Sequence, residues 1–443
     1  MTSGSVWRNI IDFSLPYLLS YFLQILYGLA DLFIIGQFCG VGSITAVSIG
    51  SQVMHMLTVI VVGLAMGTTV VIARAVGAND SKAASATIGN TITLFMAFSL
   101  VLAVGLLCGV NRIVGAMSTP AEAVDGTVLY LTICFAGIPF IVAYNIIASI
   151  FRGMGDSKSP MWFIAIACVV NIVLDYVFIG FLGMDAAGAA LGTTLSQTVS
   201  VVISLAVIKR RKSGIRLGKK DLKPQHKAMG QVLKIGVPVA LQDGFIQVAF
   251  IIITIIANER GLSDAAAVGI VEKVIGVLFL VPSAMLSTVS AVAAQNLGAG
   301  KQERARRTLL YATCIAVGFG IVSAVAMQFA ARQTVGLFTH DEQVVLFGSQ
   351  YLKGYVWDCI FAGIHFCFSG FFCACGLSVL SFIHNFVSIV CVRIPMSYLA
   401  SVEYPETLFP MGLVCSAGSL LSVVICVGVY AYMVKHSKFG CTS

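Results

Sequence analysis

Apolar runs of about 20 residues recur along the whole chain, and each is long enough to cross a hydrocarbon layer ~30 Å thick as a helix. Twelve are predicted, near residues 10–35, 46–73, 85–110, 126–150, 161–182, 186–208, 234–257, 267–294, 308–331, 348–373, 378–400 and 411–434. No water-soluble core has room for so many. In lipid, backbone polar groups must bond inside the segment, so the runs predict helices. The fold class is therefore an all-α polytopic membrane protein of twelve transmembrane helices. Composition agrees: 58% of the 443 residues are hydrophobic and 10% charged, where soluble domains carry about a quarter charged.

The placement of charge predicts orientation. With the N-terminus inside, 21 of the 27 Lys and Arg fall on cytoplasmic segments, three on outer loops (Arg112, Arg260, Arg332) and three in helices (Lys273, Lys353, Arg393). That is the positive-inside pattern. It predicts a multi-pass protein of the cytoplasmic (plasma) membrane with both termini cytoplasmic. The densest basic block, KRRKSGIRLGKKDLKPQHK (209–227), lies between the sixth and seventh runs. It reads as a solvated linker near anionic lipid headgroups rather than as a nucleic-acid arm. The opening MTSGSVWRNIIDF has no basic region followed by a small-residue cleavage site, so no cleavable signal peptide is expected. Nearly all of the 13 cysteines lie in apolar runs, and Cys373 and Cys375 are too close for a CxxC pair. They read as small hydrophobes.

The chain repeats itself at a shift of 221 residues. Tyr130-Leu131 falls on Tyr351-Leu352, FRGMG (151–155) on FCACG (372–376), and GA at 77–78 on GA at 298–299. Pro16 meets Pro238 at a shift of 222. Six runs on each side of the basic block give both halves the same orientation, the parallel-repeat design of many transporters. The expected organisation is an N-terminal lobe over 1–208, a linker over 209–233 and a C-terminal lobe over 234–443.

Against this background, polar residues inside the runs stand out. A charge at mid-membrane costs roughly 2.5–3.5 kcal/mol or more, so one that is kept normally faces the bundle interior and marks an ion or substrate path. In VVNIVLDYVF (169–178), Asn171 and Asp175 are one helical turn apart in the fifth run. The first run carries Gln24, Tyr27 and Asp31 on one side, and the sixth adds Thr193 and Gln197. If these stripes converge, two carboxylates share a low-dielectric pocket and cannot both ionise without a cation or proton between them. That describes a coupling-ion site at Asp31, Asn171, Asp175 and Thr193, taking Na⁺ through hard oxygens or H⁺ on one Asp. The plainer alternatives are that Gln24 and Gln197 only bond a neighbouring helix and that Thr193 bonds its own backbone. Pro16 frees a carbonyl in the first helix and gives it a place to bend.

The segments QILYGLADLFIIGQFCG, GLAMGTTVVIARAVGAND, NIIASIFRGMGDSKSP, NIVLDYVFIG, AAGAALGTTLSQ and, in the second half, AAQNLGAGKQERA resemble the successive signatures of the multidrug and toxic compound extrusion (MATE) transporters. The resemblance covers nearly the whole chain. It implies a twelve-helix, two-lobe antiporter that exports organic, cationic or aromatic compounds in exchange for inward Na⁺ or H⁺, by alternating access of a cleft between lobes. The family's first-lobe cation site maps onto Asp31, Asn171, Asp175 and Thr193, with Tyr27 and Asn145 at neighbouring polar positions and Pro16 at the family's first-helix proline. Two departures stand out. Some branches carry a helix-seven glutamate, where GVPVALQDGFIQVAF offers only Gln242 and Asp243. FCACGLSVLS also lacks the Arg, Asp and Lys of FRGMGDSKSP.

The second half offers candidates of its own. Asp243, early in helix seven, is either a second-lobe site candidate or a residue near the membrane surface. Asp358 and His365 share a face of helix ten, where His365 serves as a proton relay or as a structural hydrogen-bonding group. Arg393 either balances Asp358 or lines the cavity. Glu272 and Lys273 read as an adjacent neutralising pair or a snorkelling rim pair. Tyr144, Trp357 and Phe361 are placed as aromatics that grasp flat cations through cation–π contact.

No GxxxxGK[ST] loop, HExxH run or GxSxG elbow occurs in the chain. The expectation is a transporter rather than an enzyme, with no cofactor beyond H⁺ or Na⁺ as coupling ion. Its expected partners are small organic substrates and membrane lipids, without nucleic acid, and it is expected to be a monomer. The alternative reading is a flippase for a lipid-linked precursor, which needs a basic cleft for pyrophosphate. GLAMG (63–67) reads as a close-packing GxxxG.

Overall fold

A computed structural model describes residues 1–210, 218 and 220–436. Most of the 209–227 basic block is covered, but its residues 211–217 and 219 lie outside the described residues. Among the described residues there is no strand. The helices are α1 (Val6–Phe38), α2 (Val41–Gly77), α3 (Ser81–Ala116), α4 (Val124–Ala136), α5 (Ile138–Gly153), α6 (Lys158–Asp175), α7 (Asp185–Arg210) and α8 (His226–Arg260). They continue as α9 (Leu262–Leu278), α10 (Leu280–Gly298), α11 (Gln302–Gly336), α12 (Glu342–Tyr355), α13 (Asp358–Ala374), α14 (Ser378–Ser388), α15 (Ile394–Glu403) and α16 (Phe409–Lys435). Among the described residues ten spans are long and apolar enough to cross a membrane, and two bent pairs, α4–α5 and α12–α13, bring the number to twelve if each is one span. Large apolar side chains project from the helices uncovered, as suits lipid: Val101, Phe181 and Phe329 are all strongly exposed.

The structure refines the predicted runs. The fourth and tenth are broken spans, bent by 50° at Gly137 and by 42° between Tyr355 and Asp358. The fifth and eleventh each contain a π-helical stretch, Tyr176–Phe181 and Ile389–Arg393. Asp175 is thus the last α-helical residue of its span rather than a mid-helix one. Such local rewinding is a frequent mark of functional helices.

The repeat is visible in the backbone. Helix ends need a left-handed residue to turn the chain. Asn79 and Gly300 occupy that conformation 221 residues apart, with φ of 56° and 72°. Gly155 and Gly376 do so as well, with φ of 93° and 77°.

The chain divides into two compact units, one of Leu15–Gly236 and one of Met1–Ser14 with Val237–Ser443. Both boundaries fall inside helices, just before Pro16 in α1 and Pro238 in α8. In the Leu15–Gly236 unit, Gly67 of GLAMG lies against the Val232 carbonyl, and Gly236 lies against that of Leu64. Small residues let these two backbones touch. A core of Tyr130, Phe135, Ile34 and Val142 fills this unit.

In the other unit Gly354 and Gly412 make the matching reciprocal contact between α12 and α16. Its core surrounds Tyr351, Tyr355, Val271 and Met411. Arg260 closes one end of this unit. Its guanidinium pairs with Asp264 at 2.9 Å and donates to the carbonyls of Ser401, Tyr404, Pro405 and Thr407.

Candidate functional site

Within the Leu15–Gly236 unit, α1, α6 and α7 bring the predicted polar residues together. Asp31 is 2% exposed, and Asn171 and Asp175 are fully buried. The Asp31 and Asp175 carboxyls lie within hydrogen-bonding reach of one another. Thr193 Oγ1 donates to Asp31 Oδ2 at 3.2 Å, and Asn171 Nδ2 to Asp175 Oδ1 at 3.4 Å. Tyr27 fixes the α7 side of the site: its hydroxyl donates to the Thr193 carbonyl at 3.1 Å and lies 3.0 Å from Ser196 Oγ.

What this cluster lacks is as telling as what it holds. Asp31 Oδ1, Asp175 Oδ2 and Asn171 Oδ1 are buried without a hydrogen-bond partner. Among the described residues no cationic side chain forms an ion pair with either carboxylate. Burying an uncompensated charge is strongly unfavourable. Three orphaned hard oxygens within one buried cluster suit a small cation such as Na⁺, and the two carboxyls equally suit a shared proton.

Room for the site comes from Gly192. A β-carbon there would overlap Asp175 Oδ1 and stand 3.4 Å from Asn171 Nδ2. Sequence reasoning missed this glycine and Ser196. The only signal was the small-residue run AAGAALG (186–192), in which no single glycine is marked.

Three supporting candidates lie elsewhere in the unit. Gln24 and Asn145 line a separate small cavity with Tyr17, Ser20, Tyr21, Val62 and Arg152. Asn145 Nδ2 bonds its own helix at the Ile141 carbonyl, 2.8 Å away. Gln197 Oε1 is buried without a partner. Tyr144, predicted to grasp substrate, is instead 1% exposed and packed with Phe151 and Phe163. Pro16 stays within a continuous α1, and its carbonyl also accepts the Ser20 hydroxyl at 2.9 Å; the carbonyl that its missing N–H leaves free is that of Asp12.

The second-half candidates separate into distinct groups. Arg393 Nη2 meets Asp358 Oδ2 at 2.5 Å, both residues being buried. His365 packs edge-on to His384, with ring centroids 5.5 Å apart, and His384 Nε2 lies 2.8 Å from Ser369 Oγ. Asp358 thus pairs with Arg393, and His365 with His384. Asp243 sits in the middle of α8, deeper in its helix than expected, and neighbours Cys373. Glu272 is half-buried and accepts the Thr254 hydroxyl at 3.4 Å, whereas Lys273 is exposed, so the two do not form a pair.

The comparisons with known proteins fit this geometry. The chain is 28% identical over 401 residues to the probable multidrug resistance protein YpnP of Bacillus subtilis, covering 90% of this chain and 89% of the relative. It is 25% identical over 437 residues to a FAD transporter of Shewanella oneidensis, covering 94% of each. A crystal structure of a MATE protein in a bent conformation superposes with a TM-score of 0.92 at 22% identity, over 99% of this chain and 98% of that one. The MatE family profile matches twice, at residues 16–177 and 238–399, once in each repeat. The chain belongs to the MatE family, the MATE efflux transporters, with their two-lobe twelve-helix fold.

Proposed function

We propose that this transporter exports organic compounds in exchange for inward H⁺ or Na⁺, and that Asp31, Asn171, Asp175 and Thr193 hold the coupling ion. The observation that carries the reading is the trio of orphaned oxygens on Asp31, Asn171 and Asp175, buried beside two carboxyls with no cationic partner. A captured ion removes negative charge from α1 and α6 and draws α1, α6 and α7 around it. The substrate path then opens alternately to the two sides of the membrane. Each net inward charge supplies about 2.3 kcal/mol per 100 mV, roughly a fifty-fold gradient of substrate.

For substrate, flat cationic or aromatic compounds suit the family resemblance. The FAD transporter among the relatives extends this to an aromatic anion. One local feature supports that second reading: Arg152 is buried, stacks over the Tyr17 ring at 4.3 Å and has no ion-pair partner among the described residues. The flippase alternative needs a free intramembrane cation for pyrophosphate. It is disfavoured at Arg393, which Asp358 already neutralises.

The test is dye uptake into inverted vesicles under separate Na⁺ and H⁺ gradients, with one cationic and one anionic aromatic dye. Wild type is expected to concentrate a dye under one gradient, and Asp175→Asn is expected not to. Equal uptake by the two proteins, or none under either gradient, overturns the assignment.

A further inference from the structure

The two units solve one electrostatic problem in opposite ways. In the Leu15–Gly236 unit, Asp175 lies where a π-helical stretch begins in the fifth span, and a glycine of the sixth span, Gly192, makes room for its carboxyl. In the other unit, Arg393 ends the π-helical stretch of the equivalent span. Gly418 of α16 makes room for it: a β-carbon there would stand 3.0 Å from Arg393 Cγ and 3.1 Å from Ser388 Oγ. Each charged group stands at one edge of a π-helical stretch with a glycine of another span against it, but the charge is reversed and the register differs: at the shift of 221, Arg393 falls on Ile172 and Gly418 on Gln197.

The acidic positions of the first half are also gone. At the repeat shifts of 222 and 221, Asp31 falls on Ile253, Asn171 on Val392 and Asp175 on Met396. The one carboxylate that meets Arg393, Asp358, falls instead on Gly137.

We propose that Arg393 is a tethered cation: its guanidinium permanently occupies, at Asp358, the place that a captured ion takes at Asp31 and Asp175. The second unit then needs no ion at this position. The proposal rests on the coupling-ion reading given above.

The surroundings of the pair fit. Arg393 also lies over the Tyr355 ring at 5.9 Å. Ser388 donates to the Gly418 carbonyl at 2.5 Å, which joins the two spans beside the pair. Two other titratable groups belong to the cluster. Glu272, held by the Thr254 hydroxyl, acts on Tyr355 and Cys415 electrostatically. His365, edge-on to His384, feels the charge of Arg393. A buried pair can often be replaced by two apolar residues without loss, whereas removing one partner leaves a stranded charge. A mobile ion site cannot be replaced in that way.

That contrast sets the experiment, made on purified full-length protein in proteoliposomes and in detergent. Arg393→Ala strands Asp358, so uptake is expected to fall about tenfold or more. Added guanidinium is expected to restore it and to raise the Tm of this variant but not of wild type. The double variant Asp358→Leu/Arg393→Leu is expected to transport within about threefold of wild type, with the same ion dependence. Loss of transport in a double variant that still melts cooperatively would show that Asp358 carries an ion itself and would overturn the proposal. So would an Arg393→Ala protein whose Tm and uptake ignore guanidinium. If Arg393→Ala does not fold, the double variant alone decides. The Tm arm does not require transport, so a failure of ion coupling at Asp31 and Asp175 appears separately, as wild-type uptake without a gradient.

Discussion

Gly192 and Asp175 occupy adjoining space so closely that a single added carbon on the glycine would overlap the carboxyl oxygen. The carboxyl's position therefore depends on the absence of a side chain on another helix. Gly192→Ala must displace Asp175 toward Asn171 or push α6 from α7, and overpacking of this kind costs about 1–3 kcal/mol. Ion-driven uptake is expected to fall about tenfold or more, with the protein still inserted in the membrane. Uptake per inserted molecule measures this, and an alanine variant with wild-type uptake would show that the carboxyl can sit elsewhere.

Asp31 and Asp175 act as one unit if they share an ion. Asp31→Asn and Asp175→Asn are each expected to abolish coupling, and the double variant is expected to be no worse than either. Coupled neighbours typically deviate from additivity by about 0.5–3 kcal/mol. Uptake under the driving gradient, measured for all four proteins, gives the cycle. Additive losses would mean that the two carboxylates work separately.

Thr193 contributes a single donor to Asp31. Thr193→Ser keeps the hydroxyl and is expected to behave as wild type. Thr193→Val removes it, and with a net hydrogen-bond value of about 0.5–1.5 kcal/mol the ion concentration for half-maximal drive should rise several-fold. Titrating the coupling ion in the three proteins reads the difference, and a valine variant with unchanged ion affinity would place Thr193 outside the site.

Arg260 is a prediction about stability alone. It pairs with Asp264 and donates to four backbone carbonyls, that of Ser401 in the last turn of α15 and those of Tyr404, Pro405 and Thr407 between α15 and α16. Arg260→Gln breaks a largely buried ion pair, a change that costs about 3–5 kcal/mol. The Tm in detergent should drop by several degrees, while uptake per folded molecule stays the same. An unaltered Tm would mean that the α15–α16 connection holds without this clamp.

Much of the candidate site was legible because its signals are local. Asn171 and Asp175 are four residues apart on one helix, so the 3.6-residue period alone puts them on a common face. Asp31, Asp175 and Thr193 drew attention as polar groups in runs where such groups are costly. The repeat follows from matched letters 221 apart, among them the GA pairs at 77–78 and 298–299 that precede the left-handed residues Asn79 and Gly300.

The chain's own sequence determined its solvent, its helices, its duplication and which polar residues required an explanation. Each of these depends on composition and on spacing along a single helix. Tertiary structure decided how those residues are partnered. Asp358 could have faced His365 on its own helix, yet it meets Arg393, 35 residues away on another span. Tyr144 turned into the core, Gln24 and Asn145 went to a separate cavity, and Gly192 proved to be the residue that admits Asp175. Those outcomes depend on the rotation and depth of each helix against its neighbours. Close packing across the whole bundle sets both, and no single apolar run records either.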